Sequence, residues 1–175
     1  MRRSLLLVTV VLAVTTSASA ISAAAAAKRE IDQPCTLVSV AQVEKAFGGP
    51  VAEPVFDETF SLCDFHVGNV LEPPGGIVTV AQLFPLFSQT QDTPKGAFSD
   101  QRAVDQLSEY ELVDVNGVGK DAYLNLTTGT IVIQTKKMLI AIQWQPGSTP
   151  TEPPKADQKA LTKLAKQAAK NAPTK

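Results

Sequence analysis

Residues 122–144 read AYLNLTTGTIVIQTKKMLIAIQW, and this stretch decides the fold. Thr128-Gly129 and Lys136-Lys137 are turn-sized breaks between short runs rich in β-branched and aromatic residues, a pattern typical of an antiparallel meander. The runs at 131–135 and 138–144 are apolar at nearly every position, which indicates a sheet covered on both faces. Helices must supply part of that cover.

Helix and strand patterns also precede this meander. Ser39 and Gln42 form a capping-box pattern, which predicts a helix that ends at Gly48. Residues 55–67 and 77–84 are rich in β-branched and aromatic side chains and predict extended strands. The sequence therefore predicts an α+β fold, an antiparallel β-sheet meander with helices packed on it.

Two more helices complete the predicted pattern. The second begins at Ser99 or Asp100, after a polar loop at 85–96, and we expect three apolar residues to face the interior: Ala103, Val104 and Leu107. The third, at 155–171, has a strongly amphipathic pattern with leucines and alanines on one side and lysines on the other.

The first twenty residues have the pattern of an export signal. Arg2 and Arg3 precede an apolar run at 5–14, and Ala18-Ser19-Ala20 is typical of a signal-peptidase site. That run is too short to cross a bilayer, which needs about 20 apolar residues, and no later stretch predicts a transmembrane segment. We therefore divide the chain into a signal peptide at 1–20 with a second potential cut as late as 27, an α+β body at 28–145, a Pro-rich linker at 146–154, and a C-terminal amphipathic helix at 155–172 packed on the same domain.

The chain has two cysteines, Cys35 and Cys63. Thiols of an exported protein leave the reducing systems of the cytosol, so we predict that these two form one structural disulfide. A crosslink between them would stabilise the fold by about 3 to 4 kcal/mol in the chain-entropy treatment. It would also remove the best nucleophiles of the chain.

Charge is distributed unevenly although the formal net charge is −1. Between Glu30 and Asp121 the cations are few, and the last quarter of the chain is rich in lysine with only Glu152 and Asp157 as carboxylates. The cations of the acidic body are Lys45, Lys95, Arg102 and Lys120. Such an asymmetry is typical of an interaction surface or of one part of a fold docking on another.

Three segments share a pattern with a known family. Residues 35–49 follow C-x-L and then V-x-x-x-F-G-G, Cys63-Asp64-Phe65 places an aromatic residue close behind the second cysteine, and residues 115–123 follow V-x-G-V-G-K-D-A-Y. This set resembles a group of actinobacterial exported proteins and lipoproteins of unknown function. The resemblance implies a compact disulfide-bonded α+β domain on or outside the cell envelope, with no established enzymatic activity. This chain lacks the lipid-attachment cysteine of many members.

The sequence offers few groups for catalysis. His66 is the one histidine of the chain, and no activated-nucleophile motif accompanies it, so we expect a structural or exposed histidine. One histidine and two oxidised cysteines are too few for a zinc site. We therefore predict no enzymatic activity, no metal and no cofactor.

The segment at 114–121 carries a candidate loop, Asn116, Gly117, Gly119 and Lys120. It fails as an EF-hand at Val118 and Asn125, and it fails as a phosphate loop because Asp114 replaces the first glycine. We interpret the glycines as turn residues, and the loop amides as groups that can receive an anion.

The candidate contact surface is the polar side of the last helix, formed by Lys159, Lys163, Lys166 and Lys170. Most charged helix faces are merely solvated; the functional alternative is attachment to an anionic envelope polymer, a lipid headgroup or another exported protein. Membrane insertion is disfavoured because the opposite side is mostly alanine. Nucleic acid is disfavoured because no aromatic residues alternate with the basic ones.

These observations predict an exported, non-enzymatic binding or interaction domain that acts at or outside the cell envelope. The alternative is a carrier or sensor of a small apolar ligand held between sheet and helix, with a pocket formed by Phe84, Phe87, Tyr110, Tyr123 and Trp144. A hydrolase is a third and weaker reading.

Overall fold

The computed structural model describes residues 34–69, 75–84, 91–147 and 155–173. The predicted signal peptide at 1–20, with its second potential cut as late as 27, and residues 148–154 of the linker lie outside this part of the chain. Within it the structure has three helices and seven strands. These are α1 (Val40–Phe47), β1 (Val55–Asp57), β2 (Leu62–Val67), β3 (Gly76–Phe84), α2 (Pro94–Leu107), β4 (Leu112–Asp114), β5 (Asp121–Asn125), β6 (Thr130–Gln134), β7 (Leu139–Pro146) and α3 (Lys155–Asn171).

All seven strands belong to one antiparallel sheet in the order β1-β2-β3-β7-β6-β5-β4. Two meanders, β1 to β3 and β4 to β7, lie side by side and meet where β3 pairs with β7. The predicted α+β class and the antiparallel meander are therefore confirmed.

The first face of the sheet is covered by α1 and α3. Alternate residues of the strands point to this face, and they bury Phe65, Ile133 and Ile142 against Leu161 and Leu164 of α3. Phe47 of α1 stacks on Trp144 with ring centroids 4.2 Å apart. The indole Nε1–H of Trp144 donates a hydrogen bond of 2.8 Å to Asp157, which fixes the start of α3 over β7.

The second face is covered by α2. Ala97 and Phe98 pack on Tyr123, Val132 and Leu139, which occupy the strand positions that point away from α1 and α3. The prediction of cover on both faces is correct, because these strands bury both of their sides.

The predicted start and orientation of α2 are wrong. The helix begins at Pro94, with the Thr93 side chain accepting from the Gly96 amide, rather than at Ser99 or Asp100. Val104 and Leu107 are 56% and 84% exposed, so they do not face the interior, and Ala103 is also exposed.

The inward side of α2 includes a buried carboxylate. Asp105 accepts hydrogen bonds from the Tyr123 hydroxyl at 2.9 Å and from the Gln101 amide at 3.0 Å. These hydrogen bonds offset the free-energy cost of burying the carboxylate. The side of α2 that faces the sheet is therefore the one that carries Asp105, and not the apolar stripe that the sequence suggests.

The amino-terminal part of the fold follows its sequence signals. Ser39 and Gln42 form the predicted capping box, and Gly48 ends α1 in the left-handed conformation. Cys35 and Cys63 form the predicted disulfide, with a Cα–Cα distance of 5.1 Å. The crosslink joins a single 3-10 turn, Pro34–Thr36, to the buried side of β2.

Candidate functional site

The lysines of α3 form one exposed row along the helix. At 3.6 residues per turn the five positions fall within about 80° of the helix circumference and extend over about 22 Å. The structure places the four predicted lysines on this side and adds one more at its start. We call the set the lysine row: Lys155, Lys159, Lys163, Lys166 and Lys170.

No described carboxylate forms a salt bridge with the lysine row. Among the described residues, the salt bridge that the structure shows joins Arg102 to Asp114 at 2.7 Å, on the other side of the sheet. Asp157, the acidic residue of α3, lies on the inward side and accepts from Trp144. Five like charges therefore stand together, which favours an anionic partner.

A shallow groove runs between α1 and α3 beside the row. Its volume is about 450 Å³, and its lining combines two lysines, two glutamines and a short apolar floor. The lining residues are Gln42, Lys45, Ala46, Lys163, Leu164 and Gln167. Lys45 thus extends the positive surface from α3 onto α1.

The side of the molecule that α2 covers has more acidic than basic residues. Helix α2 and the segment that follows it into β4 contain five carboxylates, Asp100, Asp105, Glu109, Glu111 and Asp114, against Lys95 and Arg102. Since α2 and α3 cover different faces, the sheet separates a basic layer from a mainly acidic one.

The predicted candidate loop is the turn between β4 and β5. Gly117 and Gly119 both have positive φ, of 72° and 60°, as expected of turn residues. Gly119 also lies against β6, where a Cβ atom would stand only 2.4 Å from the Gln134 carbonyl oxygen. The Lys120 amide donates to that same carbonyl at 2.7 Å, so the amide is satisfied within the fold.

The structure does not bring the loop and the lysine row together. Lys120 instead lines a second groove, of about 610 Å³, at the amino-terminal end of α2. We call it the α2 groove, and its lining is Thr93, Pro94, Lys95, Lys120, Asp121, Gln134, Thr135 and Lys136. Sequence reasoning missed Lys95 and Lys136 as partners of Lys120, because long-range strand pairing and the docking of α2 bring them together.

The remaining residue that the sequence singles out is the one histidine of the chain, His66. His66 lies on β2 opposite Ile77 of β3. No group of three or more His, Cys, Asp or Glu side chains that could hold a metal occurs among the described residues.

The buried side chain of Tyr123 contacts α2 through Phe98 and Asp105. Burial and the hydrogen bond to Asp105 raise the pKa of Tyr123 far above its ordinary value, and the nearby Arg102 opposes this shift. The guanidinium of Arg102 stands 5.5 Å from the centre of the Tyr123 ring. The phenol is therefore a donor that holds α2, and it is not poised to give up its proton.

The aromatic residues expected to line an apolar pocket are divided. Trp144 lies with Phe47 under α1, whereas Tyr123 lies with Phe98 under α2, on the other face of the sheet. Phe84 joins the α2 side, and Phe87 lies outside the described residues. These residues do not line one common pocket. The alternative that the protein carries a small apolar ligand stays a prediction, and this pocket does not support it.

Comparison with known proteins adds no relative. No family model, no curated protein and no solved structure matches the chain. Across the described ranges, no helix is both long enough and apolar enough to traverse a bilayer.

Proposed function

We propose that this protein is an exported, non-enzymatic binding domain that attaches to an anionic polymer of the bacterial cell envelope through the lysine row. The observation that carries the proposal is the row itself, five exposed lysines on one side of α3 without a described carboxylate in ion-pair contact. The signal-like amino terminus and the Cys35–Cys63 disulfide support the exported location.

The shape of the row suits a polymer rather than a compact ligand. Charges spaced along about 22 Å of a straight helix can contact several anionic groups of an extended chain at once. Lysine ammonium groups are point charges on flexible stems and tolerate varied geometry in such contacts. Lys45 and Lys163 beside the α1–α3 groove widen the surface.

The packing of α3 argues against a membrane as the partner. Its apolar residues Leu161, Leu164 and Ala168 are buried against the sheet and α1, so they are not available to enter a bilayer. An interfacial helix needs an exposed apolar side in addition to its basic one. The lysine row provides positive charge but no exposed apolar side that could enter a bilayer.

The proposal predicts retention of the purified mature protein on delipidated bacterial cell wall, falling steeply between 0.1 and 1 M NaCl. Screening shortens from about 10 Å to about 3 Å over this range, which weakens contacts between exposed charges. Replacing Lys159, Lys163, Lys166 and Lys170 with Gln is expected to lower retention on the order of tenfold or more, since each lysine near an anionic surface contributes about 1 kcal/mol.

A matched control removes the same number of charges elsewhere, by changing Lys95, Lys120, Lys136 and Lys137 to Gln. This control should keep most of the retention if the lysine row is the contact surface. Equal losses in both variants, retention that salt does not change, or stronger binding to anionic phospholipid vesicles than to the delipidated wall would each overturn the proposal.

A further inference from the structure

A second basic site lies in the α2 groove, away from the lysine row. Lys95 comes from the start of α2, Lys120 from the turn between β4 and β5, and Lys136 from the turn between β6 and β7. The two grooves share no lining residue. Three lysines from three separate elements therefore meet at one concavity.

Two of the three lysines come from a part of the chain that has few cations. Only four cations occur between Glu30 and Asp121, and two of them, Lys95 and Lys120, line this groove. A third, Arg102, pairs with Asp114. Half of the cations in this otherwise acidic part of the chain therefore lie in one groove.

Among the residues that the structure describes, the lining of the groove has three lysines and one carboxylate. Asp121 is the one carboxylate of the lining, and its Oδ1 accepts from the amide of Ala122, the next residue on its own strand. None of the three lysines forms a salt bridge with a described carboxylate. The three lysines are therefore available to attract an anion to the groove.

The backbone is anchored at two of the lysines. Gly119 lies against β6, and the Lys120 amide donates to the Gln134 carbonyl, so the backbone of Lys120 is held beside the end of β6. At the next turn the Thr135 hydroxyl accepts from the amides of Lys137 and Met138, which fixes the backbone around Lys136. The two turns are therefore set relative to each other.

We propose that the α2 groove binds a small phosphate-bearing molecule. Its volume of about 610 Å³ is within the range of small-molecule sites, and seven of its eight lining residues are polar or charged. Lysine binds phosphate as a point charge. The partial positive charge at the start of α2 adds to the same field.

The test is an amide-resonance titration of the mature protein with pyrophosphate at constant ionic strength, with citrate as the carboxylate comparison. We expect saturable shifts confined to the amides of residues 93, 95–96, 119–121 and 134–137. Replacing Lys120 with Gln should raise the apparent Kd for pyrophosphate at least about fivefold, and citrate should bind more weakly than pyrophosphate.

The lysine-row variant is the control, because it removes four charges without touching the groove and should leave the pyrophosphate Kd unchanged. Shifts that do not saturate, shifts spread over all exposed lysines, an unchanged Kd in Lys120→Gln, or citrate that binds as well as pyrophosphate would overturn the proposal. None of these outcomes depends on whether the lysine row binds the envelope.

Discussion

Single residues determine how the turns and the buried contacts of this fold are made. Gly119 is the clearest case, because it combines a left-handed backbone with an approach to β6 that leaves no space for a side chain. The glycines of this turn are recognisable in the sequence. The close approach is not, because it depends on where β6 lies.

We expect Gly119→Ala to lower the free energy of unfolding by roughly 2 kcal/mol or more, since the new Cβ is both strained and in collision. Gly117→Ala is the matched control, because Gly117 also has positive φ but has open space around it, and its cost should be nearer 1 kcal/mol. Urea unfolding of the two variants measures the difference. Equal losses would show that contact with Gln134 does not matter.

Tyr123 predicts a dependence of stability on alkaline pH. Its pKa is raised in the folded state, so its contribution is fully present below the ordinary tyrosine pKa near 10 and is lost as pH rises above that value. Tyr123→Phe should remove this contribution and should cost about 1 kcal/mol or more at neutral pH, through the lost bond to Asp105. Denaturant unfolding between pH 7 and 11 tests both effects; a variant with unchanged alkaline sensitivity would contradict the assignment.

At the scale of elements, the sequence predicts α1 and α3 well and α2 poorly. The capping box of α1 and the leucine–alanine side of α3 are patterns formed by residues close together in the sequence. Such patterns predict the structure correctly when the surface that the helix packs against is apolar. For α2 the apparent apolar stripe points to solvent. In the observed orientation, Asp105 of α2 accepts a hydrogen bond from Tyr123 of β5. Arg102 of α2 pairs with Asp114 of β4 and lies near the Tyr123 ring. These are interactions with strands that are distant in the sequence.

The orientation of α2 can be tested by two truncations. Phe98→Ala should cost about 3 kcal/mol, because it empties a buried position against Tyr123. Leu107→Ala should change the free energy of unfolding by less than about 0.5 kcal/mol, because Leu107 is 84% exposed. The reverse order would restore the orientation that the sequence alone suggests.

At the scale of the whole molecule, one crosslink ties the amino-terminal turn to the sheet. The disulfide closes a sequence separation of 28 residues. Replacing both Cys35 and Cys63 with Ala should lower the free energy of unfolding by about 3 to 4 kcal/mol in the chain-entropy treatment. The native protein should lose a similar amount when a reductant is added, while the double variant should not respond; a reductant effect on both would point to another cause.

The pairing of the cysteines could be predicted because the sequence has only two and begins with the pattern of an export signal. The meeting of Lys95, Lys120 and Lys136 could not, since it needs the β5–β6 register and the docking of α2 together. Likewise the sequence shows an acidic body and a basic end, but it does not show that α2 and the basic α3 cover opposite faces of the sheet.

The docking of α3 has a consequence for self-association. Leu161 and Leu164 pack in one core cluster with Ile133 and Ile142 of the sheet, and all four side chains are buried. Detachment of α3 would bring these apolar side chains into contact with water. The resulting exposed apolar patch would be a site for aggregation.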